Sequence, residues 1–189
     1  MNRRRALVVG GIVAAALGVV LIFLVPRWYR AASTKASAAA PVAAPATPGR
    51  KIKARLFYLS EDGTSLTAVE RDVPFADGTV EQAREIVAAQ IAPAAEPLVS
   101  AVPPGTTLRS VFLTSKGEAY VDLSPEISTA HTGGSLAELL TVYTIVNALT
   151  TNLPAVTTVE LLVDGKEVPT LSGHVDLRRP LAKNLTWVQ

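Results

Sequence analysis

The chain has 189 residues, with 18 Lys and Arg, 16 Asp and Glu, and no cysteine. That composition excludes a disulfide framework, a thiolate zinc site and a lipid-bearing cysteine, and the length suits one membrane segment plus one domain. The net charge of +2 hides a split: residues 1–50 carry seven basic side chains and no acidic one, whereas residues 51–189 carry 11 basic and all 16 acidic ones, a net of −5. A phosphate backbone is held by clustered Lys and Arg, which the acidic part lacks, so nucleic acid is not expected as a partner.

Residues 1–5, with Arg3, Arg4 and Arg5, read as a short cytoplasmic stub. Ala6 to Val25 is an uninterrupted run of 20 apolar residues and glycines, enough to cross a ~30 Å hydrocarbon core at ~1.5 Å per residue. The positive-inside rule keeps the arginines in the cytoplasm and places everything after Val25 outside, in the periplasm or at the cell exterior. Trp28 and Tyr29 fit an interfacial aromatic anchor, while Arg27 and Arg30 weaken the charge asymmetry. A cleaved signal peptide is the competing reading, with Ala36-Ser37-Ala38 as a small-residue cleavage site. The apolar run is longer than the ~7–15 residues usual for such peptides, which favours an uncleaved anchor. Residues 26–50, rich in Ala, Pro, Ser and Thr, read as an extended spacer.

From Arg50 the pattern is that of a folded domain. Ile52 to Leu59 alternates as a strand, Glu61-Asp62-Gly63 marks a turn, and Leu66 to Val73 is a weaker strand. Thr79 with Gln82 fits a capping box, opening a helix with Val80, Ala83, Val87 and Ile91 on one face and Pro93 at its end. Leu108 to Thr114 and Glu118 to Leu123 form a hairpin about Ser115-Lys116-Gly117. Ser135 with Glu138 is a second capping box, before an apolar helix running to about Thr150. Val156 to Val163 is a strand closed by Asp164-Gly165, and Lys166 to Leu171 can pair back on it. The β(β)αββαβ order implies an α+β domain over residues 51–189. A mostly antiparallel or mixed sheet of about four to six strands would carry two helices on one face.

No set of residues with catalytic spacing stands out. The chain has no phosphate loop, no paired-histidine zinc helix and no Gly-x-Ser-x-Gly elbow. His131 and His174 are isolated, so no metal or cofactor is expected. Ser135, His131, Asp122 and Glu126 lie near one another in sequence, but cap and turn roles account for them better than a nucleophilic triad does. Gly133-Gly134-Ser135 has the look of an anion-binding helix start, and capping alone gives the same look. Asn147, inside the apolar helix, reads as a structural bond to a neighbouring loop.

Several stretches resemble, in order, the GerMN domain family, a module of sporulation and germination proteins and of other bacterial envelope proteins. They are Leu56-Phe57-Tyr58-Leu59-Ser60, Leu66 to Arg71, Val102-Pro103-Pro104-Gly105-Thr106, Ala119-Tyr120-Val121-Asp122-Leu123-Ser124, Gly134-Ser135-Leu136, Val142 to Thr150, Val159 to Lys166, and Leu171-Ser172-Gly173-His174. The family often has a glutamine where Tyr143 or Thr144 stands here. The resemblance implies a non-catalytic extracytoplasmic domain that works by contact, in the assembly of an envelope-spanning complex.

Envelope proteins or further copies of the chain are therefore the expected partners, with Phe57, Tyr58, Phe75 and Tyr120 as candidate contact residues; each has an alternative role as a core or half-buried strand residue. A peptidoglycan-binding module is the second reading, thinly supplied with 10 aromatics. An envelope hydrolase is the third, since the residues it needs are scattered singly.

Overall fold

The computed structural model describes residues 49–189. The anchor expected over Ala6–Val25 and nearly all of the spacer lie outside them. Among the described residues no helix is long and apolar enough to cross a membrane.

Strands β1 (Lys51–Leu59) and β2 (Leu66–Pro74) pair antiparallel along their whole length, from Lys51 opposite Pro74 to Leu59 opposite Leu66. The weaker alternation in β2 is no obstacle, because β1 supplies a full-length partner. Their turn is built by Asp62, whose carboxylate accepts from the Ser60 and Thr64 hydroxyls and the Thr64 N–H. These donors pull the Asp62 carboxyl down to about 2.

Helix α1 (Thr79–Ile91) stops before Pro93 with Ala92 already extended, as the residue preceding a proline must be. Strands β3 (Leu108–Leu113) and β4 (Glu118–Leu123) form the expected hairpin. A short helix α2 (Glu126–Thr129), absent from the sequence pattern, precedes α3 (Ser135–Asn152). Because α3 carries the chain back across the sheet, β5 (Thr158–Val163) pairs parallel with β4, from Glu118 opposite Thr158 to Leu123 opposite Val163. Asp164 and Gly165 both have positive φ, 52° and 74°, the requirement of a tight two-residue hairpin turn. Beyond it β6 (Lys166–Glu167) pairs with one end of β5, and β7 (Leu181–Ala182) with the other.

The α+β class and the mixed pairing are as expected, but the single sheet is split in two. One sheet is the β1–β2 ribbon; the other has the order β3-β4-β5-β6, with β7 also on β5. The reason lies at the free edge of β1, which side chains close instead of a third strand. Gln90 of α1 accepts from Phe57 N–H at 2.8 Å and donates to Phe57 O at 2.7 Å. Asn152 of α3 does the same for Arg55, with both bonds at 2.8 Å. The Leu59 N–H reaches Val99 O. Each amide reproduces the donor–acceptor pair of a strand neighbour, so β1 needs no third strand.

The core is one cluster. Helix α3 packs on β1 and on β5, and is buried nearly all round through Val142, Ile145, Val146, Ala148 and Leu149. The inward side chains of the larger sheet, Val111, Ala119, Val121, Leu123, Val159 and Leu161, are buried too. Neither capping box forms. Gly78 and Gly134 occupy the N-cap positions, and no side chain caps either helix. Gln82 instead bonds Ala76 N–H and Pro74 O. Glu138, fully buried, accepts from the N–H groups of Leu171, Ser172 and His174. Both boxes need a Ser or Thr at the N-cap, and glycine at positive φ holds that place.

Candidate interaction surface

Of the four residues considered for nucleophilic chemistry, three have another partner, and Ser135 has none among the described residues. Gly133 N–H donates to His131 Nδ1, so Nε2 carries the ring proton and donates to Thr141 Oγ1 at 3.1 Å; the Thr141 hydroxyl donates in turn to Ala101 O at 2.6 Å. Burial holds this imidazole below its ordinary pKa, which keeps it neutral. Asp122 accepts from Arg109 and from Gly165 N–H, a Ser124 hydrogen bond holds Glu126 down, and Ser135 is exposed. The anion-binding look of the α3 start is also spent in part, since the Gly133 N–H is used by His131. His131 instead lines a mainly apolar cleft of about 460 Å³ with Leu59, Val102, Pro103, Leu136 and Leu140. Asn147 makes the structural bond expected of it, donating to Asn184 O and accepting from Asn184 N–H.

The four candidate contact residues part company. Phe57 and Tyr58 are core residues, 0% and 3% exposed. They sit in a β1 stretch buried at Leu56 as well, packed against the helices, so the alternation of β1 does not leave an outer face there. Phe75 is half-buried under the Arg50 guanidinium, 3.7 Å from its ring centroid. Tyr120 is half-buried on the outward face of the larger sheet.

That outward face is set by register. Phe112 of β3 lies opposite Tyr120 of β4, and Tyr120 beside Glu160 of β5. Glu118 follows on the same side of β4, and Glu167 of β6 lies opposite Leu162 of β5. Phe112 is 58% exposed, the most exposed large apolar residue described. Sequence reading missed it, although the hairpin loop carries the signal: Thr114 N–H bonds Glu118 O, so position 112 must face Tyr120. Burial, then Glu167 and Glu118, push the Glu160 carboxyl above its usual range. Glu160, then burial and Glu118, push the Tyr120 hydroxyl up as well.

Besides the two-residue strands β6 and β7, and β1 with its edge closed by side chains, two longer strands pair on one side only among the described residues. On β2, hydrogen bonds from Leu66 N–H to Trp187 O and from Gln189 N–H to Leu66 O cover only one end. Strand β3 is the last in its sheet.

Over residues 55–169 the chain matches the family described as Germane: Sporulation and spore germination. No curated protein matches it. Among solved structures, the tandem GerMN domains of the sporulation protein GerM from Bacillus subtilis superpose with a TM-score of 0.55 at 17% identity, over 70% of this chain and 46% of that one. The chain thus spans less than half of the tandem protein. A putative lipoprotein from Clostridium perfringens superposes with a TM-score of 0.52 at 22% identity, over 74% of this chain and 92% of that one. These likenesses show a shared fold, and the family match runs from β1 to the segment after β6. The chain belongs to the GerMN family of sporulation and spore germination domains.

Proposed function

We propose that this protein is a membrane-anchored, non-catalytic GerMN domain that acts by protein contact in the assembly of an envelope complex, in a process related to sporulation or germination. Ala6–Val25 holds it in the bacterial cytoplasmic membrane, with the N-terminus inside and the domain outside, and residues 26–50 let the domain stand off the bilayer. Envelope proteins or further copies of the chain are its partners, and it uses no cofactor. The observation that carries the reading is the outward face of the larger sheet, where an exposed Phe112 and a half-buried Tyr120 lie among carboxylates. Water does not favour an aromatic as open as Phe112, and such residues on a charged rim suit a partner. Relatedness to GerM supports the process, as analogy.

Chemical crosslinking of the tagged, full-length protein in living cells tests the reading. Specific recovery of other envelope proteins, or of its own copies, is expected. Recovery of peptidoglycan fragments without protein would replace the contact role with wall binding.

A further inference from the structure

We infer that the outward face of the larger sheet docks an extended segment of a partner protein that carries an apolar residue and, two or four positions away, a lysine or arginine. This rests on the contact role proposed above and names the chemistry of the partner. Three observations converge on it.

The first is an unmet charge. Glu160 is only 8% exposed, yet its carboxylate has no ion pair and no hydrogen bond among the described residues. Its oxygens keep some contact with water, yet burial and the like charges beside it still disfavour the ionised form, and a basic partner would relieve both. Glu118 and Glu167 stand near it without ion pairs of their own, so the neighbours worsen the deficit. By contrast Asp122, on the same side of the sheet, has Arg109 and the Gly165 N–H.

The second is the aromatic pair beside it. Phe112, Tyr120 and Glu160 form one row across β3, β4 and β5. Two strand spacings separate the ends of that row, about 10 Å. Side chains of an extended chain alternate faces, and positions two or four apart, about 7 or 13 Å at ~3.3 Å per residue, bracket that distance on one face, so one apolar and one basic side chain of a single segment can meet Phe112 and Glu160 together.

The third is what the site does not suit. No group of three or more carboxylates and histidines among the described residues is placed to hold a metal ion. The carboxylates are spread along the sheet, which matches ammonium or guanidinium groups on a chain. Glu160 lies on β5 between the pairing with β6, at Leu162 and Val163, and the pairing with β7, at Thr158 and Val159.

The test places a photo-crosslinking amino acid at Phe112 of the full-length protein in its own cells, with Glu70 on β2 and Ala88 on α1 as exposed comparison sites. Capture from position 112 should yield a protein whose crosslinked peptide has Lys or Arg within four residues. Combined Glu118→Gln, Glu160→Gln and Glu167→Gln should lower that yield at least tenfold. A thermal melt reports whether this triple variant folds, and Glu160→Gln alone serves if it does not. Three results overturn the inference while the contact role stands: capture only from 70 or 88, a captured peptide without basic residues, or a yield from 112 indifferent to the glutamine substitutions. No protein captured from any of the three positions, or wall fragments alone, overturns both.

Discussion

Gln90→Leu should unfold the domain more easily than the size of the change suggests. The Gln90 side chain and Phe57 are both 0% exposed, and the amide serves both backbone groups of Phe57. Leucine has similar bulk but leaves the Phe57 N–H without an acceptor, at a cost of about 1–3 kcal/mol. The Phe57 carbonyl keeps only the Thr144 hydroxyl, at 3.3 Å. Added apolar burial offsets part of the loss, leaving about 1–2 kcal/mol, or roughly 3–8 °C in Tm for a domain of this size. Gln90→Glu separates the two bonds. As a carboxylate the new side chain still accepts from the Phe57 N–H but sets an oxygen against the Phe57 carbonyl, and protonation restores the missing donor. Gln90→Glu should therefore approach the parent in stability as pH falls from about 7.5 to 5, since burial raises a carboxyl at such a site. Thermal unfolding of the full chain in mild detergent, followed by circular dichroism, measures both. If Gln90→Leu melts within a degree of the parent and Gln90→Glu ignores pH, side-chain amides are not what closes the β1 edge.

Glu138 gives a pH dependence of defined sign. Burial would raise its carboxyl, but the N–H groups of Ser172, His174, Leu171 and Val175 outweigh burial and hold it below the usual range. A folded-state pKa below the unfolded one contributes stability that is present above the unfolded value, ~4.3 for glutamate, and lost as pH falls through the folded value. Protection from hydrogen exchange at residues 171–174, relative to the intrinsic rate at each pH, should fall below about pH 4, and Glu138→Gln should abolish that step while costing about 1–3 kcal/mol at neutral pH; protection unaffected by either change would contradict the cradle. Gly117 and Gly165 have φ of 86° and 74°, but a Cβ at 117 would meet Ala155 O at 2.8 Å, whereas at 165 nothing lies within 4 Å. Both alanine variants should lose about 1–2 kcal/mol to the left-handed backbone, and denaturant melts should show Gly117→Ala the worse; equal losses would mean that the hairpin loop yields.

Much of this fold is legible in the sequence because it is written in apolar periodicity. The β3–β4 hairpin and α3 declare themselves through alternation and through the run from Leu136 to Leu149. What is not legible is the use of polar residues inside. Gln82, Gln90 and Glu138 are buried, though a pattern reading assigns such residues to water or to helix caps. For Gln90 and Glu138 the backbone they serve lies 33 or more residues away, a distance that no local motif encodes. The splitting of the sheet depends on two such contacts, at Gln90 and Asn152, and so was hidden with them. The candidate surface was half visible. Tyr120 could be named from its strand, while Phe57 and Tyr58 went into the core because both helices cover β1. Phe112 required the hairpin register, and the exposure of a strand face depends on what packs beyond it.

The central claim is that the domain works within an assembly at the membrane. Sedimentation of the full-length protein, extracted from its own membranes with a mild detergent, tests it most directly. The account predicts that it travels with other envelope proteins, or with many of its own copies, as a particle far heavier than one 19.9 kDa chain in a micelle. Recovery from the soluble fraction, or from membranes as a lone chain with nothing co-sedimenting, would contradict it.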